Sequence, residues 1–319
     1  MKKVISILTC LCLLMTTGCS RQETIRFGAA GVGGMYYPFA NAFTELASKD
    51  ETGINWKVKS TAGSAANLRL LSDNYIELGI AQADLIEDAY YGKGSFHSGK
   101  YRGYKAVASL YPEACQIVVR KDSDITSLDD LEGKNVSVGE EESGTERNAT
   151  QILEMCGLPD NLVNTKNLDY TDAADQLAEK KIDAFFCTAG ICTTVIEELT
   201  KECDIRLLEI PESCRQKLKK AYSFYDDYVI PAGTYSGQTE DIQTISVQSV
   251  LLASSTLSEK TVQKLTASLF KHIKDIQYSI SINLQLTPQE AVKGITISFH
   301  PGAEAYYRLE GVELPEVES

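Results

Sequence analysis

Histidine is scarce in this chain of 319 residues, and its scarcity argues against most catalytic and metal-binding sites. The three histidines, His97, His272 and His300, are far apart, and none lies near another histidine or a cysteine at metal-ligand spacing. The chain also lacks the Gly-x-Ser-x-Gly turn that presents a nucleophilic serine. We therefore expect no catalytic residue, no metal and no cofactor, and we interpret the histidines as structural or solvated residues.

Positive charge is also in short supply, since 31 Lys and Arg residues face 44 Asp and Glu residues, for a formal net charge of −13. Such an acidic protein is not expected to bind nucleic acid or an anionic membrane surface. Nucleotide-binding motifs are missing too: Gly28, Gly31 and Gly33 lack the G-x-G-x-x-G spacing, and no Walker sequence occurs. An anionic ligand would have to be held by local donors, because the overall charge repels it.

Long hydrophobic runs are absent after the N-terminus, so no other segment is expected to span a membrane. The N-terminus has a positive start, an apolar run at residues 4–15 and small residues before Cys19, which is the order of a signal peptide. It resembles a bacterial lipobox, although Thr16 stands where leucine is usual. We predict that residues 1–18 are a signal peptide and that a lipid on Cys19, outside the cytoplasm, is the only membrane anchor. The alternatives are soluble periplasmic export after cleavage, and an uncleaved anchor.

Cysteine, in contrast, is plentiful, with nine residues in the chain. Cys10 and Cys12 would leave with the signal peptide and Cys19 would carry lipid, which leaves six. Several of the six lie in apolar runs, where a buried free thiol is the simpler interpretation. Their pairing stays open, and Cys203 with Cys214 is the most plausible disulfide. The six are Cys115, Cys156, Cys187, Cys192, Cys203 and Cys214.

Short strand patterns alternate with helix patterns along the chain, as in a parallel sheet covered on both faces. The pattern restarts about a third of the way along, which predicts an α/β fold of two lobes joined by crossover segments near Tyr111 and Tyr225. Lobe 1 comprises residues 24–111 and 226–319, and lobe 2 comprises residues 112–225. Ligands of open α/β sheets bind beyond the carboxyl ends of the strands, so we expect a binding cleft between the lobes.

Five loops that contain small residues each follow a predicted strand and precede a predicted helix. Such a junction leaves unpaired N–H groups at the positive end of a helix dipole, which makes a cradle for an anion. One loop alone is weak evidence, but all five lie on the carboxyl side of their strands. The loops are residues 31–36, 61–67, 79–84, 142–146 and 187–190, and the ligand contacts predicted in them are Gly33, Gly34, Met35, Tyr36, Ser64, Asn67, Gln82, Ser143, Gly144, Thr145, Thr188 and Ala189.

Two further stretches bear on the cleft. Tyr111 and Glu113 flank Pro112 at the expected crossover, where Tyr111 could donate a hydrogen bond to a carboxylate and Glu113 could accept one from an amino or hydroxyl group. Alternatively, this stretch is only a hinge whose exit angle is fixed by Pro112. The acidic run at residues 140–142 precedes the Ser-Gly-Thr loop, and its three carboxylates would weaken anion binding unless they point away.

Several motifs occur in a fixed order along the chain. They include Gly31-x-Gly33-Gly34-x-Tyr36-Tyr37-Pro38, Gly79-Ile80-Ala81-Gln82-x-Asp84, Ser143-Gly144-Thr145-Glu146 and His300-Pro301-Gly302-Ala303. Together they closely resemble the TAXI family of solute receptors, which serve TRAP transporters, over about residues 24–311. The resemblance implies a type II periplasmic-binding-protein fold that delivers a small carboxylate, such as glutamate or 2-oxoglutarate, to TRAP membrane permease subunits.

The resemblance also implies that residues 34–36, Ser64, Asn67, Gln82 and residues 143–145 hold the ligand. The acidic run before the Ser-Gly-Thr loop departs from the small, uncharged residues usual in the family, which leaves the ligand open. One alternative is a substrate-binding lipoprotein of an ABC importer, for a pyrimidine precursor or a sulfonate. Another is an enzyme on the same scaffold.

Turnover of a candidate carboxylate that requires His300 or Cys187 would support the enzyme alternative. A neighbouring gene for a large permease or for an ATPase would separate the two transport alternatives.

Overall fold

The computed structural model describes residues 23–317, except 52, 160, 281–283 and 285. The predicted signal peptide and Cys19 therefore lie outside the described residues. Within the described part, no helix combines the length and the apolar character needed to cross a membrane.

The described strands form one mixed sheet in the order β2-β1-β3-β10-β4-β7-β5-β6, with β8 paired to β4 and β9 paired to β10. The pairs β1–β2, β1–β3, β5–β6 and β5–β7 are parallel, and β10 runs antiparallel to β3 and β4. The strands are β1 Glu23–Gly28, β2 Ile54–Lys59, β3 Leu78–Gln82, β4 Tyr104–Arg120, β5 Asn135–Ser137, β6 Asn164–Lys166, β7 Ala184–Ala189, β8 Ile205–Leu207, β9 Asp226–Ile230 and β10 Ile242–Ser254.

Helices connect the strands, and most follow a strand directly, as the alternating pattern predicts. The α-helices are α1 Tyr36–Asp50, α2 Ser64–Ser72, α3 Ala83–Tyr91, α4 Gly144–Met155, α5 Tyr170–Ala178, α6 Thr194–Glu202, α7 Glu212–Ala221, α8 Glu259–Lys271, α9 Ile273–Ile280 and α10 Pro301–Leu309.

Two long antiparallel strands, β4 of 17 residues and β10 of 13, run through both halves of the sheet. One end of β10 pairs with β3 and the other end with β9, while the second half of β4 pairs with β7 and β8. At mid-length, Pro112 stands opposite Gln248, and the register shifts between Gln248 and Val250. Because proline cannot donate a ladder hydrogen bond, this irregularity is the natural place for the strands to bend.

Of the two residues expected at the crossovers, Tyr111 lies on a crossing strand and Tyr225 does not. Tyr111 lies in the middle of β4, beside the register shift. The second crossing runs along β10, whereas Tyr225 is buried against α4, where its hydroxyl hydrogen bonds to Asn148 and Gln151. The limits of the two lobes stay predictions.

The apolar core forms two clusters, a larger one that runs through both lobes and a smaller one that lies mainly in lobe 2. In lobe 1, Phe39, Phe43 and Ala47 recur at every fourth position of α1 and face β1, where the rings of Phe27 and Phe43 meet edge to face at 6.3 Å. Burial of each phenylalanine contributes about 1.5–3 kcal/mol. In lobe 2, a second cluster joins β4, β7 and α4. These cores hold the strand ends, and hence the loops beyond them, in fixed positions.

Candidate functional site

The loops beyond the carboxyl ends of β1, β2, β3, β5, β6 and β7 meet around a cavity of about 50 Å³ between the lobes. It is lined by Ala30, Gly31, Gly34, Met35, Tyr36, Ala62, Gly63, Ser64, Gln82, Glu113, Glu140, Ser143, Gly144, Thr145, Asp169, Tyr170, Thr188 and Ala189. Eleven of the fourteen residues predicted from the sequence are in this lining.

Three predicted residues lie outside that lining. Gly33 lines an adjoining cavity of about 300 Å³ instead. The amide of Asn67 donates to the carbonyls of Gly28 and Ile80, at 3.2 and 2.9 Å, so it ties the ends of β1 and β3 to α2. Tyr111 is buried against Phe39, with their ring centroids 6.2 Å apart. Asn67 and Tyr111 therefore do not line the cavity, but they contact the elements that do.

Four helices have their first residue in the cavity lining: α1 at Tyr36, α2 at Ser64, α4 at Gly144 and α5 at Tyr170. Their first turns have N–H groups without an intrahelical partner, and their dipoles place partial positive charge there. No side-chain cap closes the start of α1, whereas Ser143 caps α4 by accepting a 3.0 Å hydrogen bond from the N–H of Glu146. The first turns of α1 and α4 can therefore donate to an anionic group from opposite lobes.

The start of α2 has a partner from the other lobe. The N–H groups of Ala65 and Ala66 donate to the carbonyl oxygen of Glu142 at 3.1 and 3.4 Å. The φ of Glu142 is +67°, in the left-handed region, and its carboxylate forms an ion pair with Arg69 of α2. The carboxylate of Glu142 therefore points away from the cavity.

Other contacts also join the lobes. Arg147 of α4 pairs with Asp88 of α3 at 2.8 Å, and the N–H of Val195 donates to the carbonyl of Gly33 at 3.3 Å. A Cβ on Gly34 would lie 3.1 Å from the ring of Tyr170, so glycine allows this close approach. These contacts describe a closed cleft.

The floor of the cavity holds a buried carboxyl group, Glu113, which is 2% exposed. It accepts a 2.9 Å hydrogen bond from the hydroxyl of Tyr36 and is also hydrogen-bonded by Gln82. Burial, reinforced by the nearby Asp84, raises the pKa of Glu113 to about 8, although the hydrogen bonds from Tyr36 and Gln82 oppose the rise. The buried Oε1 of Gln82 has no hydrogen-bond partner among the described residues. This floor can accept hydrogen bonds from a ligand.

Tyr170, which sequence reasoning missed, organises the wall on the lobe 2 side. Its hydroxyl hydrogen bonds to the hydroxyl of Thr145 and donates to the carbonyl of Thr188 at 3.0 Å, and the N–H of Thr188 donates to Thr145 at 3.2 Å. Tyr170 opens α5 just after β6, a strand of three residues with weak sequence character. The Asp169 cap of α5 was the available signal.

Three described side chains of the cavity lining carry a carboxyl group: Glu113, Glu140 and Asp169. Lys, Arg and His are absent from the lining given by the described residues. Burial raises the pKa of Glu140 above its usual value, and the nearby Asp169 raises it further by a smaller amount. A ligand with two negative charges would be repelled here, since only helix termini and neutral donors could offset the repulsion.

His300 and Cys187, the two residues named for the enzyme alternative, are both buried in the folded chain. His300 is 2% exposed, and its Nδ1 accepts a 3.2 Å hydrogen bond from the N–H of Gly302, which caps α10. Burial raises the pKa of the Cys187 thiol to about 12, so this thiol stays protonated at neutral pH. The six cysteines of the described part are all free, so the Cys203–Cys214 disulfide is not formed in this structure.

Comparison with solved structures confirms the predicted fold class, a type II periplasmic-binding-protein fold of two α/β lobes. An alkanesulfonate-binding protein from Xanthomonas axonopodis pv. citri, bound to MOPS, is 16% identical with a TM-score of 0.51, over 81% of this chain and 78% of that chain. A binding protein component of an ABC phosphonate transporter from Pseudomonas aeruginosa is 13% identical with a TM-score of 0.52, over 82% and 80%. A putative L-cystine ABC transporter protein from Listeria monocytogenes is 15% identical with a TM-score of 0.50, over 81% and 94%.

The chain belongs to the NMT1-like family, whose profile matches residues 27–311. This match, together with structural neighbours that are named as parts of ABC transporters, overturns the expected assignment to a TRAP receptor of the TAXI family. The motifs behind that assignment lie in strand β3 and at the starts of helices, as at Tyr36, Gly144 and Pro301. Such sequences follow from the fold, and they do not identify the membrane partner.

Proposed function

We propose that this protein is the extracytoplasmic solute-binding component of an ABC importer. The family match and the fold support this proposal, as do neighbours that are named for sulfonate, phosphonate and cystine. Lipidation of Cys19 would hold the protein at the membrane, beside the transporter that receives the solute.

The solute is a small zwitterion with one anionic group and one ammonium group. The observation that carries this proposal is the polarity of the cavity. Donors at the starts of α1 and α4 face the anionic group, while Glu113 and the unpartnered oxygen of Gln82 accept hydrogen bonds at the floor. Amino acids and amino-sulfonates have both groups, whereas a plain dicarboxylate or sulfonate leaves the buried oxygen of Gln82 unpaired, which costs about 1–3 kcal/mol.

Binding is coupled to closure of the two lobes. The donors come from both lobes, and the ion pairs Arg69–Glu142 and Arg147–Asp88 also cross the cleft. A solute that contacts both walls therefore binds the closed form better and shifts the population toward it. The transporter would recognise that closed shape.

A thermal-shift panel of matched pairs tests the solute class. Taurine is compared with ethanesulfonate, and alanine, cysteine and glutamate are compared with their desamino analogues. An amino compound at 100 times its dissociation constant should stabilise the protein by about 2.7 kcal/mol, a rise of roughly 5 °C in melting temperature. Equal shifts from both members of the pairs would contradict the zwitterion assignment.

Reconstitution tests the transport assignment. The ATPase and permease that the proposal expects beside this gene are placed in proteoliposomes, and ATP hydrolysis is measured with the solute-loaded protein, with the solute-free protein and without it. We expect the loaded protein to stimulate hydrolysis most. Solute uptake that proceeds on an ion gradient without ATP would refute the assignment.

A further inference from the structure

Two cysteines of lobe 2 lie side by side, where α4 ends and α7 begins. Cys156 follows α4 directly, and its N–H donates to the carbonyl of Ile152 at 3.0 Å. Cys214 lies in the first turn of α7 and is 7% exposed. Cys214 acts on the Cys156 thiol at close range and raises its pKa, so the two side chains are neighbours.

The packing around the pair is well defined. Cys214 belongs to the lobe 2 core, and Cys156 packs on the same cluster. One turn after Cys214, the ammonium group of Lys217 reaches the carbonyl of Met155 at 3.5 Å. The end of α4 and the start of α7 are thus held together by apolar contacts and a polar contact, independently of any bond between the thiols.

The other four cysteines have different surroundings. Cys115 accepts a hydrogen bond from the hydroxyl of Thr188, and Cys187 lies beside Tyr170 on the other face of the sheet. Cys203 packs on the larger apolar cluster, whereas Cys214 belongs to the smaller one. The cysteine nearest to Cys214 in the folded chain is therefore Cys156, and not Cys203, which was the most plausible partner from the sequence.

We propose that Cys156 and Cys214 form a disulfide bond as the protein folds in an oxidising compartment. The oxidant is a small-molecule or protein disulfide. One cysteine thiolate attacks it to give a mixed disulfide and a released thiolate, and the second cysteine thiolate then displaces the remaining half. Two thiols are oxidised, the oxidant disulfide is reduced to two thiols, and protons exchange with solvent.

The timing follows from burial. Burial raises the pKa of the Cys156 thiol, and the adjacent Cys214 raises it further, so little thiolate is present once the chain is packed. The bond therefore forms before packing is complete, and the folded reduced protein should oxidise slowly.

The proposed disulfide bond would also help to hold the solute site in place. It would join the end of α4 to α7, and the start of α4 supplies Gly144 and Thr145 to the cavity wall. It would close a loop of roughly 60 residues, long enough for a substantial stabilisation of the folded state.

The test compares the chain from residue 20 exported to the periplasm of an expression host with the same chain kept in the cytoplasm. Each sample is denatured in excess iodoacetamide, digested and mapped by mass spectrometry without reduction. We expect a peptide that links Cys156 to Cys214 in the exported protein, and four alkylated cysteines. Alkylation of both Cys156 and Cys214 in the exported protein, or a link from Cys214 to Cys203, would overturn the proposal.

Stability gives a second measurement. Dithiothreitol should lower the melting temperature of the exported protein by roughly 5 °C or more, and it should leave a Cys156→Ala, Cys214→Ala variant unchanged. A Cys192→Ala, Cys203→Ala variant is the matched control, because those cysteines are also partly buried but lie outside the pair; it should keep the full response. An equal response in both variants would count against the bond. None of these measurements depends on which solute binds.

Discussion

The buried carboxyl group of Glu113 should make the solute-free protein less stable as the pH rises. Its pKa is about 8 in the folded protein and 4.5 as a reference, so between these values the folded chain keeps a proton that the unfolded chain has lost. Stability therefore falls with pH, by up to about 1.4 kcal/mol per pH unit and about 5 kcal/mol over the whole window.

Other titratable groups also change the stability with pH, so the experiment has to separate their contributions from that of Glu113. Burial also raises the pKa of Asp84 to about 7, which has the same sign as Glu113. Burial lowers the pKa of His300, so its contribution is opposite: stability rises as the pH increases from that lowered pKa to about 6.5. Asp50, with a pKa lowered to about 2 by Lys271, loses its contribution only at lower pH. The difference between wild type and a Glu113→Gln variant isolates Glu113.

Thermal melts at pH 5, 6, 7 and 8 measure this difference without solute. The Glu113→Gln variant should show a flatter dependence on pH, and it should gain most relative to wild type at pH 8. Glu141→Gln is the matched control, since Glu141 is exposed and does not line the cavity. Parallel curves for wild type and Glu113→Gln would refute the buried, protonated state of Glu113.

The same group predicts proton release on binding. A solute ammonium group placed on Glu113 favours the carboxylate, so the proton should leave as the solute binds near neutral pH. Calorimetry at pH 7 in phosphate and in Tris should give different binding enthalpies, consistent with the release of up to about one proton. Glu113→Gln should remove the dependence on buffer. Equal enthalpies for wild type in both buffers would refute this coupling.

Three substitutions test the rest of the cleft. A Gly144→Ala side chain would overlap Gln82 in the closed form, so titration calorimetry should show at least a tenfold loss of solute affinity, and unchanged affinity would contradict the closed geometry. Arg69→Met removes the ion pair with Glu142, and affinity should fall about two- to fivefold, less at high salt, because the pair is partly exposed. Asn67→Ala leaves buried carbonyls unpaired, so denaturant unfolding should show a loss of about 2–3 kcal/mol, and a change in affinity alone would show that Asn67 contacts the solute.

Much of the cleft could be predicted because its loops are local features. Glycine-rich junctions between strands and helices, such as the one before Tyr36, are visible in a few consecutive residues, and so is the serine cap at Ser143. Since parallel strands of one sheet end at the same edge, such loops meet in space whatever the details of packing. Most predicted contacts line the cavity for this reason.

The membrane partner was predicted wrongly for the same physical reason. Motifs at strands and helix starts reflect how the backbone folds locally, and many binding proteins of one fold share that local structure. The acidic run was also hard to interpret, because the turn at Glu142 and its ion pair with Arg69 depend on the approach of the opposite lobe.

By itself, the sequence determined the alternation of strands and helices, the two-lobe plan and the loops that carry the donors, since these depend on short-range patterns. Only the tertiary structure decided the polarity of the cavity and the neighbours of each buried group. Tyr36 and Glu113 meet across 77 residues of chain, Tyr170 enters from a weak strand, and Cys214 packs against Cys156. Such contacts depend on how two cores orient their surfaces, and that orientation arises from packing over the whole chain.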